Sequence, residues 1–199
     1  MKVRFGLAAL GAAIVASGAL AGGTLWDNGP LITHPGGGFN GADRSAISPG
    51  QGFNANLTAF HEADDFTVGA GGWNINAIRA FAYQTGSTTT STFTGLYIQI
   101  WDGTPGEGGN VIWGDMTTNL MSGTSWTNIY RTSGTDATNN QRPIMHVDAE
   151  GLNINLAAGT YWIEFAMTGT LGSGPWIPLV SDPNQLISGH ARPFTVGTA

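Results

Sequence analysis

Apolar and polar residues alternate most clearly at Leu96-Tyr97-Ile98-Gln99-Ile100-Trp101, with Leu96, Ile98 and Ile100 on one face and Tyr97, Gln99 and Trp101 on the other. A period of two in β-branched and aromatic residues marks a half-buried strand. Asp102-Gly103 then closes it as a turn. The same period puts Tyr161, Ile163, Phe165 and Met167 on one face of a second strand, and sets Leu152, Ile154 and Leu156 against Asn153 and Asn155. Shorter runs predict strands at 63–68, 73–77, 111–113, 126–131 and 144–147, and one starting at 176. Near Ile78 the phase slips, so that Arg79, Phe81 and Tyr83 oppose Ile78, Ala80 and Ala82. A β-bulge, or a strand covered on both faces, accounts for such a slip. Nowhere do ten residues show helical spacing with caps. The expectation is an all-β chain of about eight to ten short strands, folded as a jelly-roll-like antiparallel β-sandwich.

The N-terminus has a different pattern. Met1-Lys2-Val3-Arg4 is basic, Phe5 to Leu20 is apolar, and Ala19-Leu20-Ala21 has the small residues of a cleavage site. Together these predict a secretory signal peptide over 1–21. Gly6, Gly11, Ser17 and Gly18 dilute the run below the about twenty strongly apolar residues that a membrane span needs. Residues 22–199 read as a single β-sandwich domain whose first part (22–60) is rich in Gly and Pro. Within it Thr24–Trp26 is expected as an edge strand, Leu31–Thr33 as its return, and Pro35–Gly52 as a long irregular loop. The low-complexity run Gly86–Thr92 is expected to be an exposed hairpin connection.

Composition narrows the chemistry. The chain has no cysteine, which removes disulfides, thiol catalysis and cysteine metal ligation. Without the leader, no lysine remains, and five arginines face thirteen acids for a net charge of −8. Such a surface repels polyanions, so nucleic acid is not expected as a partner and anionic lipid is a poor candidate. An acidic domain rich in Thr, Ser, Asn and Gly behind a leader is expected outside the cell, secreted or on the cell surface, with no membrane span in the mature chain.

Several stretches resemble a known group. Ala-Asp-Asp-Phe-Thr-Val (63–68), Gly-Gly-Trp-Asn-Ile-Asn-Ala-Ile (71–78), Phe-Ala-Tyr-Gln-Thr-Gly-Ser-Thr-Thr-Thr-Ser-Thr-Phe-Thr-Gly (81–95) and Ile-Trp-Asp-Gly (100–103) are similar to exported bacterial jelly-roll β-sandwich proteins of uncharacterised function. Trp126–Arg131, Arg142-Pro143-Ile144 and Gly159–Trp162 extend the resemblance to roughly residues 24–180. It implies export and a jelly roll, and brings no catalytic residues. Some members carry a C-terminal sorting anchor with a Pro-Glu-Pro signature. Here the sequence reads Phe194-Thr195-Val196-Gly197-Thr198-Ala199, and a released protein is expected.

No catalytic set stands out. Asp64 and Asp65 are adjacent on a strand and point to opposite faces, so they cannot share a proton. Asp65, Asp102 and Asp115 are the best candidate metal ligands, and calcium is the ion that suits oxygen donors of this kind, although no EF-hand spacing is present. Glu164 alternates outward and reads as an ordinary exposed or Arg-paired glutamate; a glycosidase would need a second carboxyl group beside it. His34, His61, His146 and His190 are isolated, and no Gly-x-Ser-x-Gly elbow occurs. The remaining signal is aromatic. Tyr97, Gln99 and Trp101 share the face that the core does not need, and a ring beside an amide suits a sugar. These residues support a secreted, non-enzymatic β-sandwich binding a glycan or extracellular matrix. The alternatives are a secreted carbohydrate-active hydrolase or lyase using Asp/Glu pairs, and a purely structural surface protein.

If the leader is processed as its pattern predicts, the intact mass of the exported protein starts at Gly22. A mature species retaining Met1 overturns that assignment.

Overall fold

The computed structural model describes residues 12–14, 23–46, 52–179 and 192–195. The protein is all-β, 55% strand and 2% helix, so that two-residue alternation decides what enters the core. The strands are β1 (Ala12–Ile14), β2 (Trp26–Asp27), β3 (Asp43–Ala46), β4 (Phe53–Asn54), β5 (Phe60–Val68), β6 (Trp73–Ala82) and β7 (Phe93–Trp101). They continue with β8 (Val111–Asp115), β9 (Gly123–Thr132), β10 (Pro143–Leu156), β11 (Gly159–Gly169), β12 (Trp176–Ile177) and β13 (Arg192–Thr195).

Two sheets form the sandwich. One has the order β2-β1-β6-β10-β9-β3, the other β13-β5-β11-β7-β8, and β12 with β4 makes a small third ladder. The consecutive strands β5 and β6 pair with β11 and β10, which are also consecutive, so a four-stranded ribbon folds across both sheets as in a jelly roll. Only the β3–β9 pairing among these ladders is parallel. The backbone of Ala12–Ile14, within the predicted leader, pairs with both β2 and β6. The cleavage point lies outside the described residues.

The strongest alternations hold. Leu96, Ile98, Ile100, Ile163, Phe165 and Met167 are all buried in the core between the sheets, where they meet Ile75, Ile78, Val147 and Ile154. The slip near Ile78 has both of the expected causes. Opposite Ala77 and Ile75, β10 bulges between Glu150 and Ile154, with Gly151 and Asn153 at positive φ. Beyond it Ala80 and Ala82 face the main core, while Phe81 and Tyr83 join a second apolar cluster with Leu31, Ile129, Ile144 and Trp176.

Four expectations are corrected. The runs 144–147 and 152–156 are one strand, β10, joined through that bulge. Gly86–Thr92 is no hairpin, since it leads from β6 in one sheet to β7 in the other. In the expected loop 35–52, Asp43–Ala46 forms β3 along β9, and Leu31–Thr33 forms no strand. The chain there is held instead by Thr33 and His34 amides donating to the Arg44 carbonyl.

One face of β5 carries acids inward. Glu62, Asp64, Phe66 and Val68 alternate into the interior, and Asp64 accepts a hydrogen bond from the Asn28 amide at 3.1 Å. Glu62 is 0% exposed, and neither carboxyl oxygen has a hydrogen-bond partner among the described residues. Burial pushes its pKa from 4.5 up to about 8, because a lone carboxylate in an apolar interior is costly. The folded protein therefore keeps a proton that the unfolded chain releases between pH 4.5 and 8, and stability falls as pH rises through that window. The loss reaches at most about 5 kcal/mol. Denaturant titrations at several pH values should show Glu62→Gln flattening this slope and stabilising the protein at pH 8. An unchanged slope between pH 4.5 and 6.5 in the variant overturns the assignment.

Candidate functional site

The outer face of the β13-β5-β11-β7-β8 sheet holds the predicted ligand residues. Its cross-strand rows follow from register. Asp65, Trp162, Trp101 and Val111 form one row, and Ala63, Glu164, Gln99 and Gly114 the next. Glu164 is the organiser. It is only 5% exposed, against the expectation of an ordinary surface glutamate. Its Oε2 accepts from Gln99 Nε2 at 2.6 Å and from Trp101 Nε1 at 2.8 Å. Its Oε1 lies 2.7 Å from His61 Nδ1, so the glutamate is paired with histidine rather than arginine.

His61 is bound at both ends. Its Nε2 is 3.1 Å from the Leu57 carbonyl oxygen, and with an acceptor at each nitrogen the charged ring is the form that satisfies both contacts. Burial alone would lower the pKa of His61. The Glu164 hydrogen bond, the Leu57 bond and the Glu164 charge outweigh it and hold the ring above its ordinary 6.5. In that charged form the ring has no free lone pair. The four side chains thus form a closed, charge-assisted network that fixes the Trp101 ring on the sheet surface.

Gln99 and Trp101 are brought together as expected, and the Trp101 N–H and one Gln99 N–H go to Glu164. Tyr97 lies on the same face and folds back over Gly95. A Cβ at Gly95 would sit 2.9 Å from the Tyr97 ring and 2.6 Å from Thr168 Oγ1, so glycine is required there. Trp101 is half-buried, and its row neighbour Val111 is 42% exposed. An indole and a valine therefore present an apolar step on this face.

The predicted metal ligands do not gather. Among the described residues no three His, Asp or Glu side chains are placed to hold a metal ion. Asp102 Oδ1 accepts from the Asn110 amide at 2.7 Å and closes the loop between β7 and β8. Asp115 accepts from the hydroxyls and amides of Thr117 and Thr118, which hold its carboxyl well below the usual range. Asp65 faces outward across from Trp162.

On the other sheet a set of residues appears that the sequence did not disclose. Ser125 Oγ is 2.5 Å from His146 Nε2, and His146 Nδ1 is 3.0 Å from Asp148 Oδ2. The residue types match a nucleophilic triad, but the setting does not. The His–Asp approach is close but lacks hydrogen-bond alignment, so Asp148 does not orient the ring. Arg79 takes both Asp148 oxygens, at 2.7 and 2.8 Å, so the carboxylate is held by the arginine. Ser125 lies within β9, on a pleated strand rather than a strained turn.

No family model matches the chain, and neither a curated protein nor a solved structure shows significant similarity to it.

The network makes a pH prediction. A histidine held above its unfolded value stabilises the fold fully below about pH 6.5. That contribution is lost as pH rises through the folded value. In an NMR titration His61 should remain charged above pH 6.5, and Glu164→Gln should lower its midpoint and cost roughly 3 kcal/mol. Titration of wild-type His61 at or below 6.5 overturns the network as described.

Proposed function

We propose that the protein is an exported, non-enzymatic β-sandwich that binds a glycan or matrix component through the outer face around Trp101. The observation that carries this reading is the pinned indole. Trp101 is fixed by its ring nitrogen to a buried glutamate, yet is only half-buried, and Tyr97 and Val111 flank it. A rigid, partly exposed ring contributes stacking area with little entropy left to lose on binding. The leader pattern and the resemblance to exported jelly-roll proteins support a location outside the cell. No helix among the described residues is long and apolar enough to cross a membrane.

Proton-transfer chemistry has little support on this face. Glu164 has both oxygens occupied, and His61 has both nitrogens occupied. The same saturation favours one competing reading, a structural surface protein in which the network only stabilises the sheet.

A glycan array with the exported protein separates the two. Binding that survives Trp101→Phe, which keeps a ring but loses the N–H, and vanishes in Trp101→Ala supports the proposal. Thermal melts should show both variants folded, with a penalty for Trp101→Phe of about 1–2 kcal/mol from the lost charge-assisted bond. Binding unaffected by Trp101→Ala, or no glycan retained at all, sinks the proposal and leaves the structural reading.

A further inference from the structure

A separate cleft of about 270 Å³ opens where four chain segments meet, lined by Gly52, Tyr83, Thr85, Arg142, Ser173 and Trp176. Backbone hydrogen bonds join those segments. Tyr83 and Trp176 exchange amide-to-carbonyl bonds in both directions at 2.9 Å, Thr85 donates to the Ser173 carbonyl, and Gly86 donates to the Gln141 carbonyl beside Arg142. The floor is therefore built by the fold before any ligand arrives. Trp176 is further fixed by its indole N–H, which donates to Ser173 Oγ at 3.2 Å.

Two polar groups here are unspent. Tyr83 is only 2% exposed, and its hydroxyl makes no hydrogen bond among the described residues. The Arg142 side chain likewise has no hydrogen bond or ion pair among them. At Gly52 a Cβ would come 3.1 Å from the Tyr83 hydroxyl and 2.6 Å from the Ile177 carbonyl oxygen, so glycine leaves that hydroxyl unobstructed. Burial pushes the Tyr83 pKa up to about 12, against the pull of the Arg131 and Arg142 charges, so the phenol is a neutral donor at physiological pH. None of the six lining residues is acidic, in a chain of net charge −6.

We propose that this cleft binds a sugar acid, a single hexuronate residue, with its carboxylate on Arg142 and Tyr83 and its ring against Trp176. A guanidinium fork matches a carboxylate in geometry and charge. A phenol hydroxyl adds a donor, and the Thr85 and Ser173 hydroxyls are placed for sugar hydroxyls. The volume sits just below the about 300–1,000 Å³ typical of ligand pockets, which suits one residue rather than a long oligomer. The proposal is independent of the Trp101 face, because it uses other residues on another part of the fold.

The test is calorimetric or NMR titration of the full chain with galacturonate and glucuronate, alongside methyl galactoside, acetate and inorganic sulfate. Saturable millimolar binding of a uronate, at least tenfold tighter than methyl galactoside or acetate, is the expected result. Arg142→Gln should weaken it about 10–100-fold at unchanged melting temperature, the worth of a charged hydrogen-bond pair. Tyr83→Phe should weaken it less. Equal binding of the neutral sugar, uronate affinity unchanged in Arg142→Gln, or acetate or sulfate bound as tightly as uronate each overturns the proposal. Loss of glycan binding in Trp101→Ala with uronate binding intact would leave both sites standing. The reverse pattern identifies which one has failed.

Discussion

Two consecutive strands occupy central positions in different sheets, and the molecule depends on that constraint. β10 lies between β6 and β9, β11 lies between β5 and β7, and only Ala157 and Ala158 separate them. The short connection forces the chain to pass from one sheet to the other. Alternate residues of both strands can then face a shared interior, as Val147, Ile154, Ile163 and Phe165 do. Once one face of β11 is committed to that core, Trp162, Glu164 and Ala166 must point outward. The outer-face network is thus a consequence of strand phase, and its members come from β5, β7 and β11 because those strands adjoin.

The same phase rule explains what was legible beforehand. Strands with uninterrupted alternation, Leu96–Trp101 and Tyr161–Met167, declared both their existence and their buried face. Where a bulge resets the phase, as between Glu150 and Ile154, one strand reads as two. β3 was hidden for another reason. Asp43-Arg44-Ser45-Ala46 has no apolar alternation, and it is a strand only because β9 offers it an edge. Gly86–Thr92 has the composition of a turn whether it closes a hairpin or crosses between sheets, so composition could not choose.

Site residues divided in a similar way. The grouping of Gln99 with Trp101 was visible because both lie on one strand. His61 and Glu164 are 103 positions apart, and their meeting depends on the register of β5 against β11. Nothing local in a single sequence encodes that register when both residues read as solvated polar positions. Ser125 and His146 meet through register in the same way. The three aspartates named as metal ligands are not gathered into one group among the described residues. Asp102 and Asp115 each accept from backbone amides of their own loop instead.

Satisfied and unsatisfied polar groups therefore have different meanings in this fold. Glu164, His61 and the Trp101 nitrogen are satisfied through one another, so that network holds the outer face in shape and leaves the Trp101 ring as its apolar surface. Glu62 is unsatisfied among the described residues and buried, and such a group answers by keeping its proton, which makes it a determinant of pH stability. Tyr83 and Arg142 are unsatisfied among the described residues and reach a cleft. The Tyr83 hydroxyl lies at that cleft with no hydrogen-bond partner among the described residues. An arginine in an acidic chain would ordinarily be expected to find a carboxylate. Neither condition is relieved within the cleft, and an anion carrying hydroxyl groups would relieve both at once. By that criterion the proposed uronate site at Arg142 would supply charge recognition, and the proposed Trp101 face would add contact area.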